Sequence, residues 1–302
     1  MRAGVVDVGA NSVRLLVAER SGQGLERVQE RKARLGLGAE IEARGRISAE
    51  KRDEVADAVR ELTREARALG CSTVEVVVAS PGRQASNASR LVRELAEAAG
   101  ASPRVLTAEE EARLAYRGAV AAAACDAATV AVCDVGGGST QVAIGEPGGD
   151  PSWLRSVDLG SLRLTARTID RDPPGRKALA AARAVVEHEF TRVVPPLPKR
   201  GYAIGGSARA LRRIVGPRLG REELEAALEV VRVTPASRLA ARYGMEPGRA
   251  ATVAAGAVIF AEVQRRLAVP LEVVRAGLRE GVALSLLDEL DVRPAAGSTP
   301  SR

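Results

Sequence analysis

The segment Val5-Val6-Asp7-Val8-Gly9-Ala10-Asn11-Ser12 returns 127 residues later as Val132-Cys133-Asp134-Val135-Gly136-Gly137-Gly138-Ser139. Each copy reads as an apolar strand, an aspartate, a glycine turn and a serine, and each is followed by a second apolar run. A repeated strand–turn–strand unit restricts the chain to folds with two related lobes, placed so that the two turns face each other across a cleft. Around the first copy the pattern predicts buried strands over Ala3–Val8 and Val13–Glu19, closed by a hairpin at Gly9–Ser12.

The chain has 302 residues, enough for two modest domains, each with its own core. Aromatic residues make up 2%, so the cores must be built from Ala, Val and Leu, and the stacking platforms of a single-strand nucleic-acid binder are missing. The net charge is +7, and Lys stands at only four positions, so nearly all the positive charge is Arg. Arg suits planar, bidentate recognition of phosphate. Genomic bias toward Arg and Ala explains the composition equally well. Cys71, Cys125 and Cys133 are scattered beside apolar runs, as expected of reduced thiols in a cytoplasmic protein. One histidine, His188 in a predicted helix, argues against a His-based zinc site and a Ser-His-Asp triad. Met1-Arg2 runs directly into a strand, which argues against a signal peptide, and no apolar run suits a bilayer span.

Further strands are expected over Leu25–Ala33, Val74–Ala79, Arg104–Leu106, Gly201–Ile204 and Val273–Arg275. Ser48 is a helix cap for a helix running to about Leu69, with Gly70 as its stop. Helices are also expected over Asn87–Ala98, Ser161–Thr168, Arg176–Val193, Arg221–Val231, Pro235–Tyr243 and Ala250–Arg266, from about Ala208, and at the end to about Leu290. Thr107 with Glu110 forms a capping box for a helix through Ala124, whose Ala-rich second half suits a hinge between lobes. The second lobe opens at Thr129. Strands alternating with helices in two matched halves indicate an α/β protein.

The Asp-x-Gly-x-x-Ser turns place backbone N–H groups and a hydroxyl around a small concavity where glycine lets a phosphate approach closely. Their aspartates, Asp7 and Asp134, can hold a divalent cation, and Mg2+ keeps several waters. A hairpin whose glycines only satisfy turn geometry explains either copy alone. The matched pair favours function. Phosphoryl transfer also needs a group that orients or deprotonates the nucleophile. Glu109 favours the helix N-terminus, Glu110 is taken by the capping box, and Glu111 is left without a structural task. From local sequence alone, a solvated first turn accounts for all three. Arg14 and Arg83 can point at a polyanion, solvated Arg being the default. Gly205 and Gly206 ahead of a helix make a third anion-friendly terminus, with a purely structural role equally open.

At this point the chain resembles the exopolyphosphatase and guanosine pentaphosphate phosphatase family, within the actin-like, ribonuclease-H-like superfamily. The resemblance is carried by Val6-Asp7-Val8-Gly9-Ala10-Asn11-Ser12-Val13-Arg14-Leu15, Glu109-Glu110-Glu111-Ala112-Arg113-Leu114, Asp134-Val135-Gly136-Gly137-Gly138-Ser139-Thr140, Gly205-Gly206-Ser207 and Ala276-Gly277-Leu278-Arg279-Glu280-Gly281. These segments stand in the family's order and cover residues 3 to 290. The resemblance implies an α/β fold of two actin-like lobes, residues 1–122 and 123–280, with an interlobe cleft. A terminal helix over 281–291 packs back on the first lobe, and a disordered tail covers 292–302. Because the chain ends before the extra helical domain of larger members, it is similar to the short two-domain form.

The same resemblance makes Glu111 the catalytic residue that positions or activates water, and Asp7 and Asp134 the metal ligands, for Mg2+ or alternatively Mn2+. It assigns phosphate binding to Gly9, Asn11, Ser12, Arg14, Arg83, Gly136, Gly137, Gly138, Ser139, Thr140, Gly205 and Gly206. Four departures bear on activity: Gln141 where the family has Glu, which removes a charge near the metal; Pro81-Gly82 before the arginine; Gln84 where an acid is common; and Ala251 in place of an Asp. The expected activity is release of orthophosphate from the end of inorganic polyphosphate. The alternatives are 5′-phosphohydrolysis of guanosine pentaphosphate (pppGpp) and, motivated by Gln141, a non-catalytic sensor of (p)ppGpp or polyphosphate. An ATP-dependent sugar or acyl kinase ranks last. No nucleic-acid or membrane partner is expected, and a homodimer is an open arrangement.

Overall fold

The central strands of this protein are apolar on both sides, which calls for sheets covered on both faces. The computed structural model, which describes residues 1–22 and 24–292, has two such sheets. In the first half, β1 (Arg2–Val8), β2 (Ser12–Ser21) and β3 (Gly24–Arg34) form an antiparallel meander. Helices α1 (Leu37–Arg44) and α2 (Ala49–Ala68) lead to β4 (Thr73–Val78), and α3 (Ser80–Gln84) and α4 (Ala88–Ala99) lead to β5 (Arg104–Val105). The sheet order is β3-β2-β1-β4-β5, with β4 parallel to β1 and β5 parallel to β4.

Helix α5 (Ala108–Ala123) joins the halves. The second meander is β6 (Val130–Val135), β7 (Thr140–Gly145) and β8 (Trp153–Val157). Helices α6 (Ser161–Thr168) and α7 (Arg176–Glu189) precede β9 (Arg200–Ile204), and α8 (Gly205–Val215) precedes β10 (Arg218–Leu219). Then come α9 (Arg221–Val233), α10 (Ala236–Tyr243), α11 (Pro247–Ala250), α12 (Val253–Leu267), β11 (Leu271–Val273) and α13 (Leu278–Val292). The order β8-β7-β6-β9-β11 repeats the first sheet strand for strand, with β10 added at the edge. The repeat seen in the turns therefore extends to the topology, and the fold is α/β with two matching sheets.

The core follows strand alternation. On one face of the first sheet Val6, Val8, Val13 and Leu15 meet Val55, Val59 and Leu62 of α2 and Leu91 and Leu95 of α4. On the other, Ala3, Val5 and Leu16 meet Val282, Leu286 and Leu287 of α13. Each fully buried Leu or Val contributes about 1.5–3 kcal/mol of apolar burial. Helix α5 belongs to both halves, since Leu114 joins that second cluster while Tyr116, Ala119 and Val120 pack on Val130, Val132 and Tyr202. Helices α5 and α13 cross at glycines. A Cβ on Gly281 would lie 1.8 Å from Leu114 O, and one on Gly118 would lie 2.1 Å from Gly277 O.

Both expected caps are present: Ser48 Oγ accepts from Lys51 N, and Thr107 and Glu110 form the reciprocal box. Several boundaries differ from expectation. Helix α8 starts at Gly205 rather than Ala208, and α7 stops at Glu189 rather than Val193. Residues 250–266 are divided between α11 and α12, and the last strand lies two residues earlier, where Leu271 and Val273 are buried beside β9. Helices α1 and α3 and strands β8 and β10 were not expected. The cysteines are free, Cys133 buried and the other two half-buried. Among the described residues no helix is long and apolar enough to cross a membrane. From residue 293 on, the tail expected over 292–302 lies outside the described residues.

Candidate active site

The two repeated turns are built alike. Gly9 N donates to Ser12 O (3.1 Å) and Gly136 N donates to Ser139 O (3.0 Å). Each serine hydroxyl accepts from the side chain two residues on: Arg14 Nε to Ser12 Oγ (3.0 Å) and Gln141 Nε2 to Ser139 Oγ (2.8 Å). The turn carbonyls are satisfied from outside. Gly38 N donates to Ala10 O (2.7 Å), while Ser161 N and Leu162 N donate to Gly136 O and Gly137 O (2.9 and 3.0 Å). No described backbone carbonyl accepts from the N–H groups of Ala10, Asn11, Gly137 or Gly138. Turns with satisfied carbonyls and N–H groups left without a backbone partner have the geometry in which an anion can be seated.

The cradles meet in one cleft of about 120 Å3, lined from both halves by Asp7, Gly9, Asn11, Ser12, Arg14, Glu111, Asp134, Gly136, Gly137, Gly138, Ser139, Gly205 and Gly206. These are all the expected site residues except two. Arg83 lies outside the lining: Nη2 donates to Glu111 Oε2 (2.7 Å) and Nη1 to Leu106 O (2.7 Å), so its guanidinium holds the glutamate. Thr140 is fully buried on β7 with its hydroxyl donating to Leu159 O (2.6 Å), which leaves no donor for a ligand. Gln141 is also buried outside the lining, opposite Asp134 in the β6–β7 register.

The lining also holds residues that the sequence did not single out for a role: Ser80, Arg209, Arg249, Arg275, Arg279 and Glu280. Arg209 stands four residues after Gly205 on α8, one turn along the same side, which is a usable signal. Arg279 and Glu280 sit in the Gly277–Gly281 segment. Glu280 accepts from Gly277 N (2.8 Å) at the start of α13.

Gly205 seats Asp134. Its φ is +85°, and a Cβ there would lie 2.3 Å from Asp134 Oδ1. Burial pushes Asp134 up to about 6, with Asp7 adding and Arg209, Arg14 and Arg249 opposing. Asp7 is raised by burial against Arg14 and Arg279. Glu111 is pushed up to about 7, mainly by burial, with Asp134 and Asp7 adding and Arg83 opposing. The arginines are under the converse strain: Arg209 and Arg249 are pushed down to about 10 by burial and by neighbouring guanidiniums. Asp7 Oδ1 is buried without a hydrogen-bond partner. Among the described residues no group of three or more His, Cys, Asp or Glu is arranged to hold a metal. An orphaned carboxylate oxygen with a second carboxylate near it, and no full protein cage, fits a hard divalent cation that keeps waters and shares its sphere with substrate phosphates.

The Ppx/GppA phosphatase family matches residues 16–290. Exopolyphosphatase 2 of Mycobacterium tuberculosis is 30% identical over 317 residues, covering 94% of this chain and 98% of that protein. A guanosine-5'-triphosphate,3'-diphosphate pyrophosphatase of Pseudoalteromonas translucida is 23% identical, covering 95% of this chain and 59% of that protein. Among solved structures, a Ppx/GppA family member of Aquifex aeolicus superposes with a TM-score of 0.83 at 24% identity, covering 97% of this chain and 99% of that one. An exopolyphosphatase of Cytophaga hutchinsonii superposes with a TM-score of 0.87 at 20% identity, covering 96% and 98%. These two likenesses show a shared fold. The chain therefore belongs to the Ppx/GppA phosphatase family and is a phosphoanhydride hydrolase.

Proposed function

We propose that the protein is an exopolyphosphatase that removes the terminal phosphoryl group of linear inorganic polyphosphate. The observation that carries this reading is Glu111: a carboxyl held near neutrality, close to Asp7 and Asp134 from opposite halves, in a cleft whose other charged lining is mostly arginine. The cleft would lie between lobes of residues 1–122 and 123–280, with the terminal helix, 281–291, completing the first.

The N–H groups of the two turns, with Ser12 and Ser139, would seat the terminal phosphate. Arg14, Arg209, Arg249 and Arg279 would neutralise the oxygens of the chain behind it. Glu111, fixed by Arg83, would accept a proton from the attacking water. The water oxygen bonds to the terminal phosphorus, the bridging P–O bond breaks, and its electron pair stays on the shortened chain. Asp7 and Asp134 would hold Mg2+ or Mn2+, which when bound supplies neutralisation of charge on the transferred group.

The test is orthophosphate release from long-chain polyphosphate, tripolyphosphate and pppGpp in parallel, with Mg2+ and with Mn2+. Faster release from polyphosphate is expected. The Pseudoalteromonas relative favours pppGpp hydrolysis as the second reading, and a higher kcat/KM for pppGpp would select it.

A further inference from the structure

Arg14 and Gln141 stand at the same place in the two repeats. Arg14 is paired with Asp7 across β1 and β2, and Gln141 is paired with Asp134 across β6 and β7. Each donates to the serine two residues before it, Arg14 to Ser12 and Gln141 to Ser139. Arg14 also lines the cleft and brings charge to it. Gln141 is buried outside the lining, and of its two described partners, Ser139 and Ser156, only Ser139 lines the cleft.

A hydroxyl has one proton to give and an oxygen that can accept. When the oxygen accepts from a neighbour, the proton is turned away from that neighbour. A guanidinium donates only, so the polarity at Ser12 is fixed by chemistry. At the second turn, Gln141 Nε2 lies 2.8 Å from Ser139 Oγ and 3.5 Å from Ser156 Oγ on β8. Both amide hydrogens thus face hydroxyl oxygens, and the donor end of the side chain is aimed at the turn. Among the described residues, neither Ser12 nor Ser139 donates to a protein acceptor, although both are buried. The neighbouring hydroxyls of Thr140 and Ser161 do donate, to Leu159 O and Gly136 O. Two buried hydroxyls in one cleft therefore keep their protons for a ligand oxygen. A carboxylate at position 141 could only accept, and would draw the Ser139 proton away from the cleft.

We propose that Gln141 is a positioning residue that fixes Ser139 as a hydrogen-bond donor to a phosphoryl oxygen. It does for the second turn what Arg14 does for the first, without adding charge. This role rests on the reading of the cleft as a phosphoryl-transfer site. Because the amide acts on the ligand through Ser139, the two residues must be energetically coupled.

The test is a double-mutant cycle read by calorimetric binding of tripolyphosphate to the full chain in EDTA, where metal-dependent turnover does not compete. Gln141→Met keeps the length of the side chain and removes its donor. Gln141→Leu is the second variant, and melting curves check both. Ser139→Ala should weaken tripolyphosphate about tenfold, the scale of a hydrogen bond to a charged group, and Gln141→Met about threefold to tenfold. The double variant Ser139→Ala/Gln141→Met should lose less than about twofold beyond Ser139→Ala alone. Ser12→Ala/Gln141→Met should instead show losses that multiply, since no contact joins those two residues. In turnover with Mg2+, Gln141→Met should raise KM by the factor seen in binding and leave kcat within about twofold.

Losses that multiply for Ser139 and Gln141 overturn the proposal. So does wild-type affinity in the Met and Leu variants, and so does a fall in kcat at unchanged KM. Orthophosphate release is scored separately. Coupled loss of binding without release from any substrate would remove the hydrolase reading and keep the role of Gln141, whereas release with uncoupled losses would do the reverse.

Discussion

Arg83 Nη2 donates to Glu111 Oε2 at 2.7 Å, and its other arm is fastened to Leu106 O at the same distance. The glutamate is thereby held by a residue 28 positions earlier, on the short helix that follows β4. Arg83→Met should reduce kcat about tenfold or more while KM changes little, because the proposed general base, Glu111, is lost from position rather than removed. It should also move the acid limb of the kcat–pH profile upward, since Arg83 opposes the raised pKa of Glu111. An unchanged profile in steady-state assays would leave Arg83 a merely structural role.

Removing Glu111 itself should cost more. Glu111→Ala is expected to lower turnover by about 100-fold or more on the best substrate. Near-normal orthophosphate release by this variant ends the mechanistic assignment.

Stability should report the same carboxyl independently of activity. The ordinary pKa of Glu111 is 4.5 and the folded value is about 7. Below about pH 4.5 both folded and unfolded states carry the proton, and ionisation imposes no penalty. As pH rises through 7 the folded state must ionise a buried acid, and the whole penalty is present above that value. In EDTA, Glu111→Gln should therefore match the wild-type protein near pH 4.5. It should become the more stable by on the order of 2–3 kcal/mol by pH 8. Thermal melts of both proteins across that range check this, and a constant difference would contradict it.

Gly205→Ala should uncouple Asp134 from the site. The substitution adds a Cβ 2.3 Å from Asp134 Oδ1 at a φ of +85°, so the carboxylate must swing away or the backbone must yield. Loss of divalent-dependent turnover is expected, with weaker Mg2+ protection in melting assays. Full activity at ordinary Mg2+ would show that Asp134 does not need this seat.

Gly281→Ala tests the crossing of α5 and α13. A methyl group 1.8 Å from Leu114 O has only backbone to displace, so destabilisation of about 3 kcal/mol or more is expected from chemical denaturation. An unchanged midpoint would mean that the helices separate freely.

What the sequence reveals here follows the range of the forces involved. The repeated turns, the Ser48 cap and the Thr107–Glu110 box are legible because aspartate, glycine and hydroxyl act on backbone within a few residues. Helix α8 was expected three residues late because Gly205 reads as loop, although its positive φ serves Asp134 inside the helix start. Helix α1 follows Gly36 without any side-chain cap, and β11 is placed by its pairing with β9. Arg14, Arg209, Arg249 and Arg279 come together only through topology. No local signal separates Arg83, which holds Glu111, from one that binds phosphate. Thr140 matches its motif, yet the inward side of β7 takes its hydroxyl.

Helix α13 covers a face of the first sheet with Val282, Leu286 and Leu287, although about 260 residues separate it from the end of β2. During synthesis on the ribosome, the amino-terminal half thus emerges with this side of its sheet not covered by α13 until residues 278–292 have been made. A nascent chain halted before residue 278 is expected to expose Val5 and Leu16 and to depend on chaperones, whereas the second sheet can close around residues already released.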